Sequence, residues 1–531
     1  MIIAQGPAVS RASEEHRIAR AAGVVGLATL ASRVGGFVRD LVIAYFFGAG
    51  PAADAFFVAF RIPNLLRRLF AEGTLTIAFI PVFTEVLAQK GKQEALLLAR
   101  STYGLLALIL LVVCALGMTF SPQVVHVMAP GFVPGHPARE IAVLLTRWCF
   151  PYIFFVSLAA LSAGVLNSMD HFFAPAASPV LLNLCLILSP ALLAARLDPP
   201  VLSLGVGVIL GGAAQLMLQV PFLRARGVSL LPGWDLRNPH LRRILRLIGP
   251  AVFGAAVYQV TVAMNTILAS YLPKGSVSFL YYADRLIEFP LGIFAIAVST
   301  AILPSLSRQA SQGDHQALKQ TMAYGLRLTM FINLPAMVGL IVLAEPLVLL
   351  LFTRGQFDLH SARATAHALV GYGLGLWAFA AVRSVLPAFY ALKDTTTPVK
   401  VAGFCLIINL GVSLVLMRPL LHVGLALATT VSGAVNFLVL LWYLRQRLGP
   451  LGGRELLHSS LRVALASAVM GLAVWLVAYG PDWGQSGGYL RRAVRPLAGM
   501  GVGAVVYLLT ARLLGLKELG EIWRVVRRRR G

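Results

Sequence analysis

Long apolar runs follow one another through almost the whole chain, and they constrain its fold more than any other feature. Each run has about 20 residues, which is enough to cross a bilayer core of about 30 Å as a helix. Hydrophobic residues make up 58% of the chain and charged residues only 12%, against about 25% charged in a typical soluble domain. A membrane barrel would instead show alternating segments of about 10 residues. The sequence therefore predicts an all-α, polytopic membrane protein.

The apolar runs predict fourteen transmembrane spans. Their expected bounds are 24–47, 53–87, 96–120, 140–166, 176–196, 201–223, 245–271, 277–307, 318–343, 364–391, 398–417, 421–444, 459–480 and 493–515. A short apolar piece at 345–352 precedes the tenth span. The second and eighth spans are long and contain internal prolines (Pro63 and Pro81, Pro290 and Pro304), so both are expected to bend.

The net charge of +24 is explained by the loops. If the N-terminus is cytoplasmic, most Lys and Arg fall in segments predicted to lie inside, as the positive-inside rule requires. The segment before the last span departs from this rule with Arg491, Arg492 and Arg495. Both termini are therefore predicted to be cytoplasmic. The basic tail at 527–530 is expected to contact anionic membrane lipids, and no nucleic-acid partner is expected.

The two halves of the chain repeat each other at an offset of about 224 residues. DAFFVAFR ending at Arg61 matches SFLYYADR ending at Arg285, and Asp170 before a proline matches Asp394 before a proline. Spans one to six thus match spans seven to twelve in the same order and orientation. Parallel repeats of this kind are typical of transporters that hold their substrate between the halves. The expected domains are a cytoplasmic N-terminal segment at 1–23, an N-lobe at 24–225, a C-lobe at 226–448, two added spans at 449–515 and a basic cytoplasmic tail at 516–531.

Ionised and amide side chains at membrane depth are the candidate functional residues. A charge there costs about 3 kcal/mol on insertion scales, so it normally faces water, a ligand or an opposite charge. On a helical wheel Arg33 and Asp40 share one face of the first span, with Arg39 to the side. The second span carries Asp54, Arg61, Asn64, Arg67, Arg68 and Glu72, of which Arg67 flanks the common stripe. The eighth span adds Asp284, Arg285 and Glu288.

Arginine exceeds acid between residues 33 and 72, and this excess indicates an anionic ligand. The guanidinium group stays charged and binds phosphate through two parallel hydrogen bonds. Mutual ion pairing, for example between Arg68 and Glu72, is the alternative for any single residue. A water-filled cavity lined by these arginines would hold a phosphorylated or otherwise anionic solute.

Motifs of enzymes and cofactor sites are absent from the sequence. It contains no Walker A loop, no HExxH and no nucleophile elbow, so a transporter is expected rather than an enzyme, and no cofactor. Glycines inside the sixth span, such as Gly211 and Gly212, are interpreted as helix-packing positions. Asn409 and Ser413, one turn apart, are weak candidates for a coupling-cation site together with Asn265. Interhelical hydrogen bonds are the competing interpretation of these side chains.

The motifs SRVGGFVRD, FGAG, DAFFVAF, PNLLRRLFAEG and SVSFLYYADRLIEFP closely resemble those of the MurJ (MviN) family. These are the lipid II flippases of bacterial peptidoglycan synthesis and cell-wall biogenesis, within the multidrug/oligosaccharidyl-lipid/polysaccharide exporter superfamily. The resemblance covers essentially the whole chain. It implies a location in the bacterial inner membrane, two lobes around a cationic cavity, and a groove for the polyprenyl tail formed by the last two spans.

The resemblance also implies roles for individual residues. It assigns substrate binding to Arg33, Arg39, Asn64, Arg67, Arg68, Ser278 and Arg285, and gating ion pairs to Asp40, Asp54, Arg61, Glu72, Asp284 and Glu288. Some relatives place an acid in the eleventh span as part of a sodium site. This sequence has no acid in that span. The energy source is thus open between the membrane potential and a coupling cation, and cell-wall synthesis enzymes are candidate partners.

Two other functions remain open at this point. A related exporter would carry another polyprenyl-linked glycan or an amphipathic solute. A membrane enzyme would act on the same class of lipid-linked sugar, although the short external segments, the longest near 121–139, offer few catalytic groups.

Overall fold

The structure is a computed structural model that describes residues 11–67, 76–229, 233, 235, 237–479 and 489–521. Within these residues the chain is helical and contains no β-strand. The first nine helices are α1 (Arg11–Phe47), α2 (Pro51–Arg67), α3 (Thr76–Gln89), α4 (Gly91–Thr119), α5 (Ser121–Met128), α6 (Pro137–Cys149), α7 (Pro151–Ser168), α8 (Phe173–Leu193) and α9 (Leu202–Arg224).

The second part of the chain contributes ten more helices. They are α10 (Pro239–Ser270), α11 (Ser276–Pro290), α12 (Ile296–Ser311), α13 (His315–Val342), α14 (Ala344–Phe352), α15 (Leu359–Gly373), α16 (Leu376–Ala391), α17 (Thr396–Leu448), α18 (Gly453–Ala478) and α19 (Tyr489–Leu513). The all-α fold predicted from the apolar runs is confirmed.

Fewer helices than the fourteen predicted spans qualify as membrane-spanning when each helix is judged by its length and hydropathy. Among the described residues, nine helical segments are long and apolar enough to cross a membrane. A tenth is formed if α15 and α16, bent by 44°, count as one span. Described helices also lie in the other predicted span ranges, in α1, α2, α3 and α10. The count of fourteen stays a prediction.

Contacts between Cα atoms divide the chain into two units. The first contains Met1–Phe47 and Pro51–Ala263, and the second contains Gly48–Gly50 and Met264–Gly531. The division falls inside α10, whose start is tied to α3 by a 2.9 Å ion pair between Arg243 Nη1 and Glu85 Oε2. The predicted domain boundary at 225 rests on the sequence repeat, and it stays a prediction.

The same pattern of helix packing occurs in both units. In the first, α2 packs on α6, α3 packs on α4 and α7, and α7 packs on α9. In the second, α11 packs on α15, α12 packs on α13 and α16, and α16 packs on α17. These are the same neighbours, span for span. The structure therefore confirms an internal repeat for these helices, and six spans in each half stays a prediction.

One turn in each unit gives the repeat offset accurately. Asp170 and Lys393 both adopt left-handed backbone, with φ of 59° and 58°. In each turn the amide of the next residue, His171 or Asp394, donates to a carbonyl five residues earlier. The equivalent positions are thus 223 residues apart here. The sequence alignment of Asp170 with Asp394 is wrong by one position, because it matched the carboxylates rather than the backbone of the turn.

Asp394 stabilises the start of α17. Its Oδ1 accepts hydrogen bonds from the amides of Thr396 and Thr397, and its Oδ2 lies 2.6 Å from Nη1 of Arg447. Burial opposes ionisation, but the bonds from Thr397 and Thr396 and the charge of Arg447 outweigh it and hold the pKa of this carboxyl below its ordinary value. Asp394 is therefore ionised at neutral pH.

Breaks in the helices occur near prolines. A π-helical turn, Leu291–Ala295, directly follows Pro290 in the predicted eighth span. The two predicted spans at 398–417 and 421–444 both lie in α17, which consists of two helices that meet at a kink at Leu421, with φ of 52° and ψ of −133°. Pro419 lies two residues before this break, consistent with its missing amide donor.

Glycines allow α9 to pack closely on its neighbours. A Cβ atom placed on Gly211 would lie 2.6 Å from the Leu182 side chain, and one on Gly212 would lie 2.8 Å from the Tyr152 ring. Both distances are too short for a real Cβ contact. The prediction that these glycines serve helix packing is confirmed.

The last two helices belong to the second unit and pack on its helix α13. Helices α18 and α19 contact each other, and α18 packs along α13. The Tyr507 hydroxyl donates to the carbonyl of Phe331 at 2.6 Å. Glu518, which is buried, accepts a hydrogen bond from Ser459 at 2.9 Å and lies 3.5 Å from Arg327. The added pair is therefore attached to α13 along its length.

Candidate functional site

The most buried charge in the first unit is an ion pair on α1. Both Nε and Nη2 of Arg39 donate to Oδ1 of Asp40, at 2.9 and 2.7 Å. The Asp40 side chain is 1% exposed and that of Arg39 is 12% exposed. Sequence reasoning put Arg39 beside the face shared by Arg33 and Asp40. The structure adds that the guanidinium group of Arg39 turns towards Asp40, while Arg33 is exposed.

Asn183 on α8 holds Arg39 from the other side. Its Oδ1 accepts from Nη1 of Arg39 at 3.1 Å, and its Nδ2 donates to the carbonyl of Ser32 at 2.9 Å. Helices α1 and α8 meet at this point, where a Cβ atom on Gly35 would lie 3.5 Å from Asn183. The amide therefore fixes the direction of one guanidinium group. Sequence reasoning missed Asn183, although it is an isolated amide in an apolar span.

A second oriented arginine lies on α2. Nε and Nη2 of Arg67 donate to Oδ1 of Asn64 at 3.0 and 2.8 Å. Arg39 on α1 and Arg67 on α2 are therefore two oriented guanidinium groups on different helices of the first unit. Arg67 was predicted to flank the stripe that contains Asn64, and the structure shows that its side chain contacts this amide.

The other predicted residues of the first unit are more dispersed. Nη1 of Arg61 donates to the carbonyl of Val262 in α10 at 3.3 Å. Asp54 is buried in the first turn of α2. Arg68 and Glu72 lie outside the described residues. Their predicted roles stay predictions.

In the second unit the predicted residues share α11. Arg285 pairs with Glu288 at 2.7 Å, and its guanidinium carbon lies 4.8 Å from the centre of the Tyr281 ring. Stacking and pairing together fix its orientation. Asp284 is exposed and Ser278 is completely buried. Mutual ion pairing was the alternative considered for any single charged residue, and Arg285 forms such a pair.

A group of buried amides and hydroxyls occupies the region considered for a coupling cation. Nδ2 of Asn265 and Nδ2 of Asn409 both donate to Oγ1 of Thr429, at 3.2 and 3.4 Å. This supports the interpretation of interhelical hydrogen bonds. The Oδ1 atoms of both asparagines and Oγ of Ser413 are buried without a hydrogen-bond partner among the described residues.

A sodium ion fits this donor set poorly. All four side chains are neutral, so no carboxylate offsets the charge of a buried cation. The unpartnered oxygens suit a water molecule, which needs two to four polar partners. Elsewhere in the described part of the chain, no group of three His, Cys, Asp or Glu side chains could hold a metal ion.

Taken by itself, each unit thus presents at least one oriented guanidinium group on a helix of a predicted span. The arrangement can bind an anion reversibly, since guanidinium hydrogen bonds to phosphate are strong and directional.

The fold is that of a class of multi-helix membrane transporters built from two six-helix halves. A MATE-family multidrug transporter of the MOP superfamily, solved in an inward-facing conformation, is 16% identical with a TM-score of 0.66 over 79% of this chain and 95% of its own. A lipid II flippase MurJ in an inward closed conformation is 26% identical, with a TM-score of 0.76 over 92% of this chain and 98% of its own.

Sequence comparisons identify the family within this class. The family model described as "Lipid II flippase MurJ" matches residues 43–484. A probable lipid II flippase MurJ of Vibrio cholerae is 37% identical over 94% of this chain and 97% of its own length. The lipid II flippase MurJ of Burkholderia cenocepacia is 40% identical over 79% of this chain and 82% of its own length. The chain belongs to the lipid II flippase MurJ family, as its motifs predicted.

Proposed function

We propose that this chain is a flippase that moves lipid II, a polyprenyl-diphosphate-linked peptidoglycan precursor, from the inner to the outer leaflet of the cytoplasmic membrane. The observation that carries the proposal is the orientation of the guanidinium groups of Arg39 and Arg67, which Asn183 and Asn64 hold by hydrogen bonds. The family match supports lipid II as the substrate and transport, rather than catalysis, as the activity.

The diphosphate is the part of the substrate that these arginines bind. Arg39 and Arg67 donate hydrogen bonds to its oxygens, and the exposed Arg33 adds charge. Asn64 and Asn183 keep the two guanidinium groups in place, because each amide oxygen accepts from an arginine N–H. Arg68 is a further proposed ligand of the first unit, and Arg285 and Ser278 are the proposed ligands of the second unit, taken by itself.

Exchange of ion-pair partners controls binding and release. In the structure Asp40 occupies two N–H groups of Arg39, and Glu288 occupies one of Arg285. A diphosphate carries more charge than a carboxylate, so it displaces the acid when the site is hydrated, and the acid displaces it again later. Asp54, Arg61, Glu72 and Asp284 take part in the same exchange as the chain alternates between access to the two sides.

The membrane potential is the proposed energy source. An anionic headgroup that moves outward across an inside-negative membrane gains about 2.3 kcal/mol per charge per 100 mV. A coupling sodium ion is not proposed, because Asn265, Asn409 and Ser413 provide no carboxylate. The proposal also includes cytoplasmic termini and the polyprenyl tail lying along α18 and α19.

Reconstitution distinguishes this function from its alternatives. Purified chain in liposomes is given fluorescent lipid II, and the lipid exposed on the outer surface is measured with a membrane-impermeant reagent. We expect exposure of intact lipid II, and loss of it in Arg39→Ala. A new covalent product would indicate an enzyme instead. Transport of unrelated polyprenyl glycans at the same rate would favour the broader exporter.

A cellular test uses the same variants. A bacterium depleted of its own lipid II flippase should grow when it expresses this chain, and it should not grow with Arg39→Ala or Arg67→Ala. Arg243→Ala is the matched control, since this arginine pairs with Glu85 on an exposed surface of the first unit. Rescue by all the variants would refute the assignment of the arginines.

A further inference from the structure

A cavity of the first unit is lined by residues of α6 and of the segment before it, and by none of the arginines of α1 and α2. It has a volume of about 320 Å³ and lies where the 121–139 segment meets the start of α6. Arg139 and Arg147 line it, with Glu140 between them. The positive-inside rule makes this segment external, where the sequence carries few cations. Two arginines in one external cavity therefore need a separate explanation.

Both arginines are available to a ligand. They are eight residues apart on α6, about 12 Å along the helix axis. Neither forms an ion pair with a described acidic residue. Nε of Arg147 donates to Oγ of the buried Ser121 at 2.9 Å. This bond holds the guanidinium group while its two Nη groups make no hydrogen bond to described residues.

The end of α6 adds a further positive contribution. Pro137 occupies the first turn of the helix, and Nδ1 of His136 accepts from the amide of Ala138 at 3.1 Å. The cavity therefore lies at a helix N-terminus, which favours negative charge. Glu140 is exposed and contributes the opposite sign. The two guanidinium groups leave the cavity with a net positive charge.

Apolar groups lie beside these charges. Val143 and Leu144 line the same cavity, and Trp148, next to Arg147, is 41% exposed. Tryptophan is enriched where a membrane protein meets the lipid headgroups. The arginines therefore match the headgroup of a lipid, and the neighbouring apolar side chains match its first acyl carbons. A soluble anion would use only the cations.

We propose that this cavity binds the phosphate group of an acidic phospholipid in the leaflet it faces, which the predicted orientation makes the outer one. Arg139 and Arg147 bind the phosphate, Ser121 positions Arg147, and Val143 and Leu144 contact the glycerol and acyl region. Glu140 opposes binding and keeps the site exchangeable. The site is independent of the arginines proposed to bind lipid II.

Native mass spectrometry of the full chain measures this binding directly. Detergent-purified protein is titrated with phosphatidylglycerol, and retained lipids are counted. We expect the double variant Arg139→Gln/Arg147→Gln to retain one lipid fewer than the wild type, and each single variant to bind that lipid about tenfold more weakly, as for a lost charge-assisted hydrogen bond. Arg196→Gln is the matched control, because Arg196 is an exposed arginine in the 3-10 turn that follows α8 and does not line this cavity.

Glu140→Gln distinguishes a lost site from a damaged fold. Removal of this carboxylate should strengthen phosphatidylglycerol binding, an effect that misfolding does not produce. Equal lipid retention by the wild type and the double variant would overturn the proposal, as would equal retention of phosphatidylcholine. Binding of inorganic phosphate that competes fully with the lipid would show a soluble-anion site instead.

Discussion

Removal of the Asp40 carboxylate should have opposite effects on stability and on substrate binding. In Asp40→Asn the side chain keeps its size and its acceptor oxygen but loses its charge. Arg39, whose side chain is 12% exposed, then carries a buried charge without its counter-ion. Loss of one partner of a buried ion pair costs about 3–5 kcal/mol.

The lower end of that range applies here. The asparagine amide still accepts from Arg39, and Asn183 continues to accept from Nη1 at 3.1 Å. We therefore expect a loss of about 3 kcal/mol, which shifts the unfolding equilibrium by a factor of roughly 150. The assay is denaturant unfolding of the purified chain in detergent, compared with Asp170→Asn. Asp170 is exposed, and asparagine tolerates its left-handed backbone equally well.

Affinity for lipid II should change in the other direction. Asp40 competes with the diphosphate for Nε and Nη2 of Arg39, so its neutralisation should tighten binding by about tenfold while slowing release and transport. A variant that loses less than about 0.5 kcal/mol of stability and binds lipid II unchanged would refute the reasoning. It would mean that the Arg39–Asp40 pair neither stabilises the fold nor competes with substrate.

Three further predictions concern other contacts. Asn183→Ala should weaken lipid II binding by about tenfold, because Arg39 loses a charge-assisted hydrogen bond; isothermal titration with lipid II checks this, and unchanged affinity would contradict it. The pKa of Asp394 is lowered by folding, so the stability that its ionisation contributes should be complete at pH 7 and vanish as the pH falls below about 4. The difference in free energy of unfolding between the wild type and Asp394→Asn, measured from about pH 7 to about pH 3, should therefore shrink rather than grow. Tyr507→Phe should destabilise the chain by about 1 kcal/mol in thermal unfolding and leave lipid II affinity unchanged, since the lost hydrogen bond only attaches α19.

Much of the architecture could be predicted from the sequence. Apolar runs of span length leave only helices as an option, because no water satisfies the backbone inside a bilayer. The repeat was also visible, since Arg61 and Arg285 recur in matching motifs. Its exact offset was not, because the turn at Asp170 is set by backbone conformation and not by the carboxylate that the alignment matched.

The partners of each arginine could not be predicted. A helical wheel shows which residues share a face, but it does not show where a flexible guanidinium group turns. Arg39 bonds to its neighbour in sequence and to Asn183, an amide 144 residues away. Arg67 bonds to Asn64 within α2. Such choices depend on the packing of α1 against α8, which periodicity alone does not provide.

The long helix α17 shows a similar limit. Two predicted spans meet there without a loop, and a single residue, Leu421, provides the break. Pro419 signalled an interruption near this position, but its form depends on how the neighbouring helices pack. The side-chain amides of Asn265 in α10 and Asn409 in α17 both donate to the hydroxyl of Thr429 in α17. Only the structure shows that they share this acceptor.

The decisive measurement is the affinity for lipid II of the purified wild type and of a variant that lacks both guanidinium groups. We expect Arg39→Gln/Arg67→Gln to bind lipid II at least 100-fold more weakly than the wild type, from about tenfold for each lost charge-assisted contact. Arg243→Gln should bind as the wild type does. Equal affinity of the double variant and the wild type would contradict the claim that these arginines receive the diphosphate.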